Sequence, residues 1–358
     1  MPHSKHAVIE YLQSELIGWN HGFIDYKESD FNGMTILVTG GTGFIGSAFC
    51  KYFLDAGARK VISFSRRWEA SEKLSSELHD DRLRAINGDI TDYQQLLYAT
   101  KGVDLIVHAA AYKAIDSAEY NSQYCTDINV RGSVNVINAA IENGVRAVFG
   151  ISTDKACNPA NTYGRTKALM ESLFINANNL GSTMFSVARY ANVIGSTGSV
   201  IPKFVQTLSD GAYVNVTNPE MTRFFFDQET AVGFVINSIV DMLNNPDQRG
   251  LVYIPKMKSC TIDELVQATA TIMGINNPKQ NIIGSRPGEK LHEAMIADEE
   301  IAYEHNGNYM IYPPKAYWSK EMERRGEEVY KYKGYTSFNS DRFTQDELID
   351  AIYDSVKQ

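Results

Sequence analysis

Three observations predict an α/β fold for this chain. Short apolar runs at 34–39, 60–64, 83–87, 103–108, 145–151 and 182–188 alternate with helical stretches. That is the order of a doubly wound parallel sheet with right-handed crossovers. The first run leads directly into glycines that open a helix, the corner of a Rossmann unit. After about residue 190 the rhythm becomes irregular, with Gly/Ser/Pro-rich and aromatic stretches. The expected organisation is an extension over 1–32 and a Rossmann domain over 33–190, with about 225–250 returning to it. Residues 191–345 would form mainly a smaller α/β lobe for substrate.

The first strand, Met34–Thr39 (MTILVT), precedes Gly40-Gly41-Thr42-Gly43-Phe44-Ile45-Gly46. The G-x-x-G-x-x-G spacing is a variant of the dinucleotide fingerprint. Gly40 permits the tight turn, Gly43 lets the backbone approach a pyrophosphate, and Gly46 lets helix and strand pack closely. The pyrophosphate then meets the exposed N–H groups at the helix start, so Gly40, Thr42, Gly43, Phe44, Ile45 and Gly46 are cofactor candidates. The bland alternative is an ordinary strand-to-helix corner.

The second strand, Lys60–Phe64, ends at Ser65-Arg66-Arg67, where an Asp or Glu would hold a ribose 2′-hydroxyl. Two guanidinium groups suit a 2′-phosphate instead, which favours NADP over NAD; a solvated basic loop is the alternative. The third strand delivers Asp89-Ile90, and Asp89 is placed to hold the adenine amine. The fourth delivers His108 and the small residues Ala109, Ala110 and Ala111, which would let a nicotinamide ribose lie close to the backbone.

The fifth strand ends in Ser152-Thr153-Asp154-Lys155, and a helix over about 161–179 follows. On that helix Tyr163 and Lys167 stand one turn apart on one face. Acid/base groups at a strand end facing a Tyr/Lys pair suit the movement of protons and a hydride. These runs lie at the carboxyl ends of their strands, where ligands of such sheets bind. Further on, Thr261 and Glu264 form a capping box before a helix over 262–273.

The remaining features bound the function. The chain has 358 residues and a formal charge of −9, which argues against nucleic acid as a general partner. No apolar run approaches the ~18 residues of a membrane span, and Met1–Lys5 lacks a signal-peptide pattern. Cys50, Cys125, Cys157 and Cys260 lack metal-ligand spacing and read as reduced thiols of a cytoplasmic protein; no metal is expected. Val8, Ile9, Leu12, Leu16 and Ile17 form an apolar stripe at helical spacing, expected to dock on the chain itself or a neighbouring subunit. His3, His6 and His21 are expected to be solvated.

The motifs TGGTGFIGS (39–47), HAAAYK (108–113), STDKACNPANTYGRTK (152–167), RYANVIGSTGSVIPKF (189–204), MTRFF (221–225) and RPGEKLHE (286–293) carry a resemblance. Over roughly residues 34–345 the chain resembles extended short-chain dehydrogenase/reductases, and within them the inverting UDP-N-acetylglucosamine 4,6-dehydratases and their capsule-polysaccharide relatives. The Gly-rich turn and Tyr-x-x-x-Lys are shared by the whole superfamily, whereas Thr-Asp-Lys and Arg-Pro-Gly-Glu-Lys are narrower signals. Residues 1–32 are longer than the family pattern.

The resemblance implies a UDP-sugar substrate, a homo-oligomer, and catalysis by Thr153, Asp154, Lys155, Tyr163 and Lys167. Tyr163 would take the O4 proton, with Lys167 and the nicotinamide stabilising its phenolate and Thr153 bonded to the same O4. Lys155 would be the C5 base, which requires it to be partly neutral and hence depressed from its usual value near ~10.4. Asp154 would be the acid for O6; a structural Asp154–Lys155 salt bridge is the alternative. Asn192, Lys203, Arg223 and Arg286 would meet the diphosphate and uridine, Glu289 a ribose diol, and Tyr112 and Lys113 the sugar pocket. Tyr163 favours inversion at C5. The competing readings are a C5-retaining dehydratase, a UDP-N-acetylhexosamine 4-epimerase that needs no elimination pair, and a cofactor-binding protein without catalysis.

Overall fold

The computed structural model describes residues 31–357 apart from 197, 315, 316, 321, 331 and 332. The apolar stripe at 8–17 and the three N-terminal histidines lie outside the described residues.

A sheet of ten strands runs through the molecule. Its first six strands in sequence are β1 (Thr35–Thr39), β2 (Lys60–Ser65), β3 (Leu83–Asn87), β4 (Leu105–His108), β5 (Ala147–Ile151) and β6 (Met184–Ala188). They lie in the order β6-β5-β4-β1-β2-β3, all parallel. β1, β5 and β6 are buried along their whole length, as continuous apolar runs are when helices cover both faces of a sheet. The order reverses between β1 and β4, and that switch point opens a crevice at the strand ends.

Beyond β6 the sheet continues through residues far along the chain. Val252–Ile254 adds in parallel beside β6. Asn308–Ile311, Ala302–His305 and Glu327–Tyr330 then add antiparallel at the edge. The hairpin between the first two of these turns on Asn306 and Gly307, at φ 50° and 74°, the positive-φ pair that two-residue hairpin loops need. These strands come from the stretch that the sequence assigns to the lobe, so that segment is shared between both parts.

The helix Gln228–Asn244 returns to the large sheet and packs on the helix Phe44–Asp55. There Gln228 Nε2 donates to the Phe44 carbonyl at 2.8 Å. The lobe has its own core of Ile201, Phe204, Leu208, Val214, Val216, Leu265 and Val266, joined by Leu348 and Ile352 of the last helix. Each such fully buried side chain contributes about 1.5–3 kcal/mol. The capping box is present, Thr261 accepting from Glu264 N and Glu264 from Thr261 N. It starts a helix over Ile262–Ile272 that walls the lobe side of the crevice.

Candidate active site

A cleft of about 1290 Å³ runs along the carboxyl edge of the sheet and under the lobe. Its cofactor half is formed by the turn after β1. Gly40 sits at φ +69°, and a Cβ there would meet Ala110 N and Cα at 2.9 Å. A Cβ on Gly46 would collide with the Gly40 carbonyl. Only glycine fits at these two positions of the turn. Thr42, Gly43, Phe44, Ile45, Ser65, Arg66, Arg67, Asp89, Ile90, Ala109, Ala110 and Ala111 line the same wall. This cradle fits a dinucleotide, with the start of the helix Phe44–Asp55 facing the pyrophosphate path. Arg66 is exposed, and its Nη1 donates to the Tyr124 hydroxyl at 2.5 Å.

The run Ser152–Lys155 leaves β5 into a short 3-10 turn, Asp154–Ala156, with Thr153 at its cap. Helix Thr162–Ala177 begins against that turn. Asn161 caps it by accepting from Gly164 N at 2.8 Å, and Gly164 is required because a Cβ would strike the Lys155 carbonyl. Thr153, Lys155, Tyr163 and Lys167 consequently meet on the cleft wall. Lys155 Nζ donates to Asp154 Oδ1 at 3.0 Å and Oδ2 at 3.3 Å, and Thr153 Oγ1 donates to Asp154 Oδ1 at 2.8 Å.

The electrostatics correct two expectations. Burial lowers the proton affinity of Lys155, but the carboxylates of Asp154 and Glu293 outweigh it, so Lys155 is held above its ordinary value. The expected depression is absent, and the ammonium is charged in the ligand-free protein. Tyr163 is pushed up to about 12 by burial, with Lys155 and a Thr153 hydrogen bond acting downward and Asp154 upward. Lys167, expected to support the phenolate, instead donates to the Ile151 carbonyl at 2.6 Å and meets Met170 Sδ at 2.9 Å. Burial lowers it to about 8.

Asp154 also differs from expectation. Its side chain is 0 % exposed against 15 % for Lys155, and it lies behind the cleft wall. The ion pair left open as an alternative is present, and Lys155 is the member that reaches the substrate space.

On the substrate side Lys113, Asn192, Lys203, Arg223, Arg286 and Glu289 all line the cleft. Their engagements differ. Lys203 is exposed. Arg223 is tied down by the carbonyls of Thr222, Leu291 and Lys290, and Asn192 Nδ2 donates to the Phe224 carbonyl. Arg286 pairs with Asp116 at 3.0 Å, bridging the cleft mouth, while its backbone N–H donates to Glu289. Burial lowers the proton affinity of Lys113. Tyr112 does not face the cleft. Its hydroxyl donates to Ser117 Oγ at 2.6 Å and its ring packs edge-on against Tyr124, because Asn129 grips its backbone N–H and carbonyl.

A sequence profile described as "Polysaccharide biosynthesis protein" matches residues 36–314. The chain belongs to that family. A UDP-N-acetylglucosamine 4,6-dehydratase (inverting) of Campylobacter jejuni subsp. jejuni serotype O:23/36 (strain 81-176) is 39% identical over 337 residues, 90% of this chain and 98% of that protein. A UDP-glucose 4-epimerase of Rickettsia akari (strain Hartford) is 33% identical over 325 residues, 88% of this chain and 94% of that one. Among solved structures, Pen from Bacillus thuringiensis superposes with a TM-score of 0.82 at 29% identity, covering 90% of this chain and 98% of that chain. The resemblance to extended short-chain dehydrogenase/reductases thus holds across nearly the whole length of these relatives.

Within this member of the polysaccharide biosynthesis family, the structure adds residues that sequence reasoning did not select. His108 is buried between Thr39 Oγ1 at 2.8 Å and Ser133 Oγ at 3.1 Å, and burial lowers it to about 3. It is therefore a neutral strut under the Ala109–Ala111 wall. Arg189 pairs with Glu171 and Glu300 and donates to the Met295 carbonyl, while Glu171 accepts from Ser152, the residue before Thr153. This network ties the strand end at Ser152 to the 294–300 segment. Its signal in the sequence was charged residues inside otherwise apolar strand and helix patterns. All four cysteines are free and buried, and burial raises Cys157 to about 12. No described helix is long and apolar enough to cross a membrane.

Proposed function

We propose that this protein is an NADP-dependent UDP-N-acetylglucosamine 4,6-dehydratase that inverts C5. The observation that carries this reading is Lys155 on the cleft wall beside Thr153 and Tyr163, with Asp154 paired to it from behind. Elimination needs a proton carrier of that kind, and a simple 4-oxidation does not. The name of the 39% identical relative supports both the substrate and the inversion. NADP in the Gly40–Gly46 cradle would accept the C4 hydride, return it to C6, and bring a positive ring charge near Tyr163. The preference for NADP rests on Ser65-Arg66-Arg67 at the end of β2.

The protein's own groups then have distinct tasks. Thr153 and Tyr163 hold the sugar O4, and Tyr163 removes its proton as C4 is oxidised. Charge near the phenol must offset the burial that keeps it protonated in the free protein. The 4-keto group makes the C5 proton acidic by delocalising the carbanion as an enolate. Lys155, once neutral, takes that proton, and its ammonium returns a proton to O6, which leaves as water. Asp154, behind it, aims the amine and stabilises the ammonium. Lys203, Arg286 and Lys113 supply cationic contacts for the diphosphate side of the cleft.

A proton NMR time course in D₂O with UDP-N-acetylglucosamine and NADP tests this. A new C6 methyl signal, deuterium at C5 and no net NADPH are expected, with C5 couplings of the inverted sugar. The 33% identical epimerases favour a second reading. If UDP-N-acetylgalactosamine alone accumulates, that reading replaces the dehydratase.

A further inference from the structure

Glu293 is a buried carboxylate that neither the sequence reading nor the mechanism above uses. It is 5% exposed, and its Oε2 is fully enclosed without a hydrogen-bond partner. Two cations stand just beyond hydrogen-bond reach, Lys290 Nζ at 3.8 Å and Arg223 Nε at 3.9 Å. Both are engaged elsewhere. Lys290 donates to the Cys157 carbonyl at 2.7 Å, and Arg223 is held by three backbone carbonyls. An enclosed carboxylate with an open oxygen is costly unless its charge acts on something nearby.

The geometry shows what that is. Strand Ala294–Ile296, directly after Glu293, lies against the Asp154–Ala156 turn that carries Lys155. The Lys290–Cys157 bond fixes the 290–293 segment to the end of the same turn. Glu293 is further anchored by its N–H, which donates to Ser337 Oγ at 2.9 Å. The segment that holds Glu293 thus packs on the turn that carries Lys155, whose ammonium is bonded to Asp154 on that same turn.

We infer that Glu293 is a positioning residue for the elimination step, forming with Asp154 an anionic clamp that sets the proton affinity of Lys155. This deepens the dehydratase reading and rests on it for its catalytic meaning. The charged and titratable groups facing Lys155 are Asp154, Glu293, Arg223 and Tyr163. Arg223 opposes the carboxylates, while Asp154 and Glu293 both favour the ammonium. A more basic amine draws harder on the C5 proton and holds it until O6 is ready to leave. The cost is a smaller neutral fraction near pH 7.

The test measures Lys155 directly, without substrate. Competitive acetylation with acetic anhydride from pH 7 to 11, read by peptide mass spectrometry, gives the neutral fraction of Lys155 at each pH, from which its titration midpoint follows by extrapolation. Glu293→Gln is expected to lower that midpoint by about one pH unit or more. The acid limb of kcat for 6-deoxy sugar formation should move down by a similar amount, with KM nearly unchanged. Glu293→Asp, which keeps the charge on a shorter arm, should fall between wild type and Glu293→Gln, and it decides the question if the glutamine variant does not fold. An unchanged midpoint in the folded variants overturns the proposal, whatever happens to activity, because a merely structural role would move kcat or stability and leave the titration alone. Wild-type protein that forms no 6-deoxy product would instead overturn the dehydratase reading, and the Lys155 midpoints would still decide the clamp.

Discussion

Lys167→Met is expected to change the pH dependence of stability in a way that can be calculated from its surroundings. Lys167 is 2% exposed, and burial lowers it from the ordinary 10.5 to about 8. Below about pH 8 the folded and unfolded chains both carry the proton, so the folded state bears the full cost of enclosing a charge. A depression of that size, at about 1.36 kcal/mol per pH unit, is roughly 3 kcal/mol. Between about pH 8 and 10.5 the unfolded chain keeps the proton that the folded protein has released, and stability is regained as pH rises. Methionine removes this term but leaves the Ile151 carbonyl without its 2.6 Å donor, at a cost of about 1–3 kcal/mol. At pH 7 the variant should therefore equal wild type or exceed it by up to about 2 kcal/mol. The difference, wild type minus variant, should grow by roughly 3 kcal/mol between pH 7.5 and 10.5. Urea denaturation at half-unit pH steps, followed by tryptophan fluorescence, measures it, since all other titrating groups cancel in the difference. A flat difference would refute the claim that Lys167 is a destabilised, buried ammonium retained for the site.

Two further outcomes follow from the same structure. Replacing Arg66 and Arg67 together by serine should weaken NADP binding by about 10–100-fold while leaving NAD little changed; equal loss for both in a calorimetric titration would remove the case for a 2′-phosphate. Arg189→Leu should destabilise the protein by about 3–5 kcal/mol, because it leaves Glu171 and Glu300 without the guanidinium that both now share. A urea midpoint close to wild type would show that those carboxylates find other partners.

The site was legible in the sequence where local geometry decides it. Gly46 must be glycine because a Cβ there would overlap the Gly40 carbonyl, and Tyr163 and Lys167 share a face because a helix repeats every 3.6 residues. The Thr261/Glu264 capping box is likewise satisfied within four residues. The orientations of Tyr112 and Asp154 were not legible. Each is set by a partner brought in by folding: Asn129, 17 residues on, for Tyr112, and for Asp154 the closed wall around the turn. The edge hairpin did carry a local signal, Asn306-Gly307, but its place beside Val252–Ile254 depends on a pairing that no local pattern specifies.

The sequence by itself determined the alternation of strand and helix, the dinucleotide turn, and the facing of Tyr163 and Lys167, because these depend on periodicity and steric fit between near neighbours. Tertiary structure alone decided which of those residues carry charge toward the cleft and how strongly. It bonded Lys155 to Asp154, packed the segment after Glu293 on the same turn, turned Lys167 toward a carbonyl, and buried Glu293 with an open oxygen. Proton affinity depends on burial and on the distance between charges, and both are fixed only when distant segments pack together.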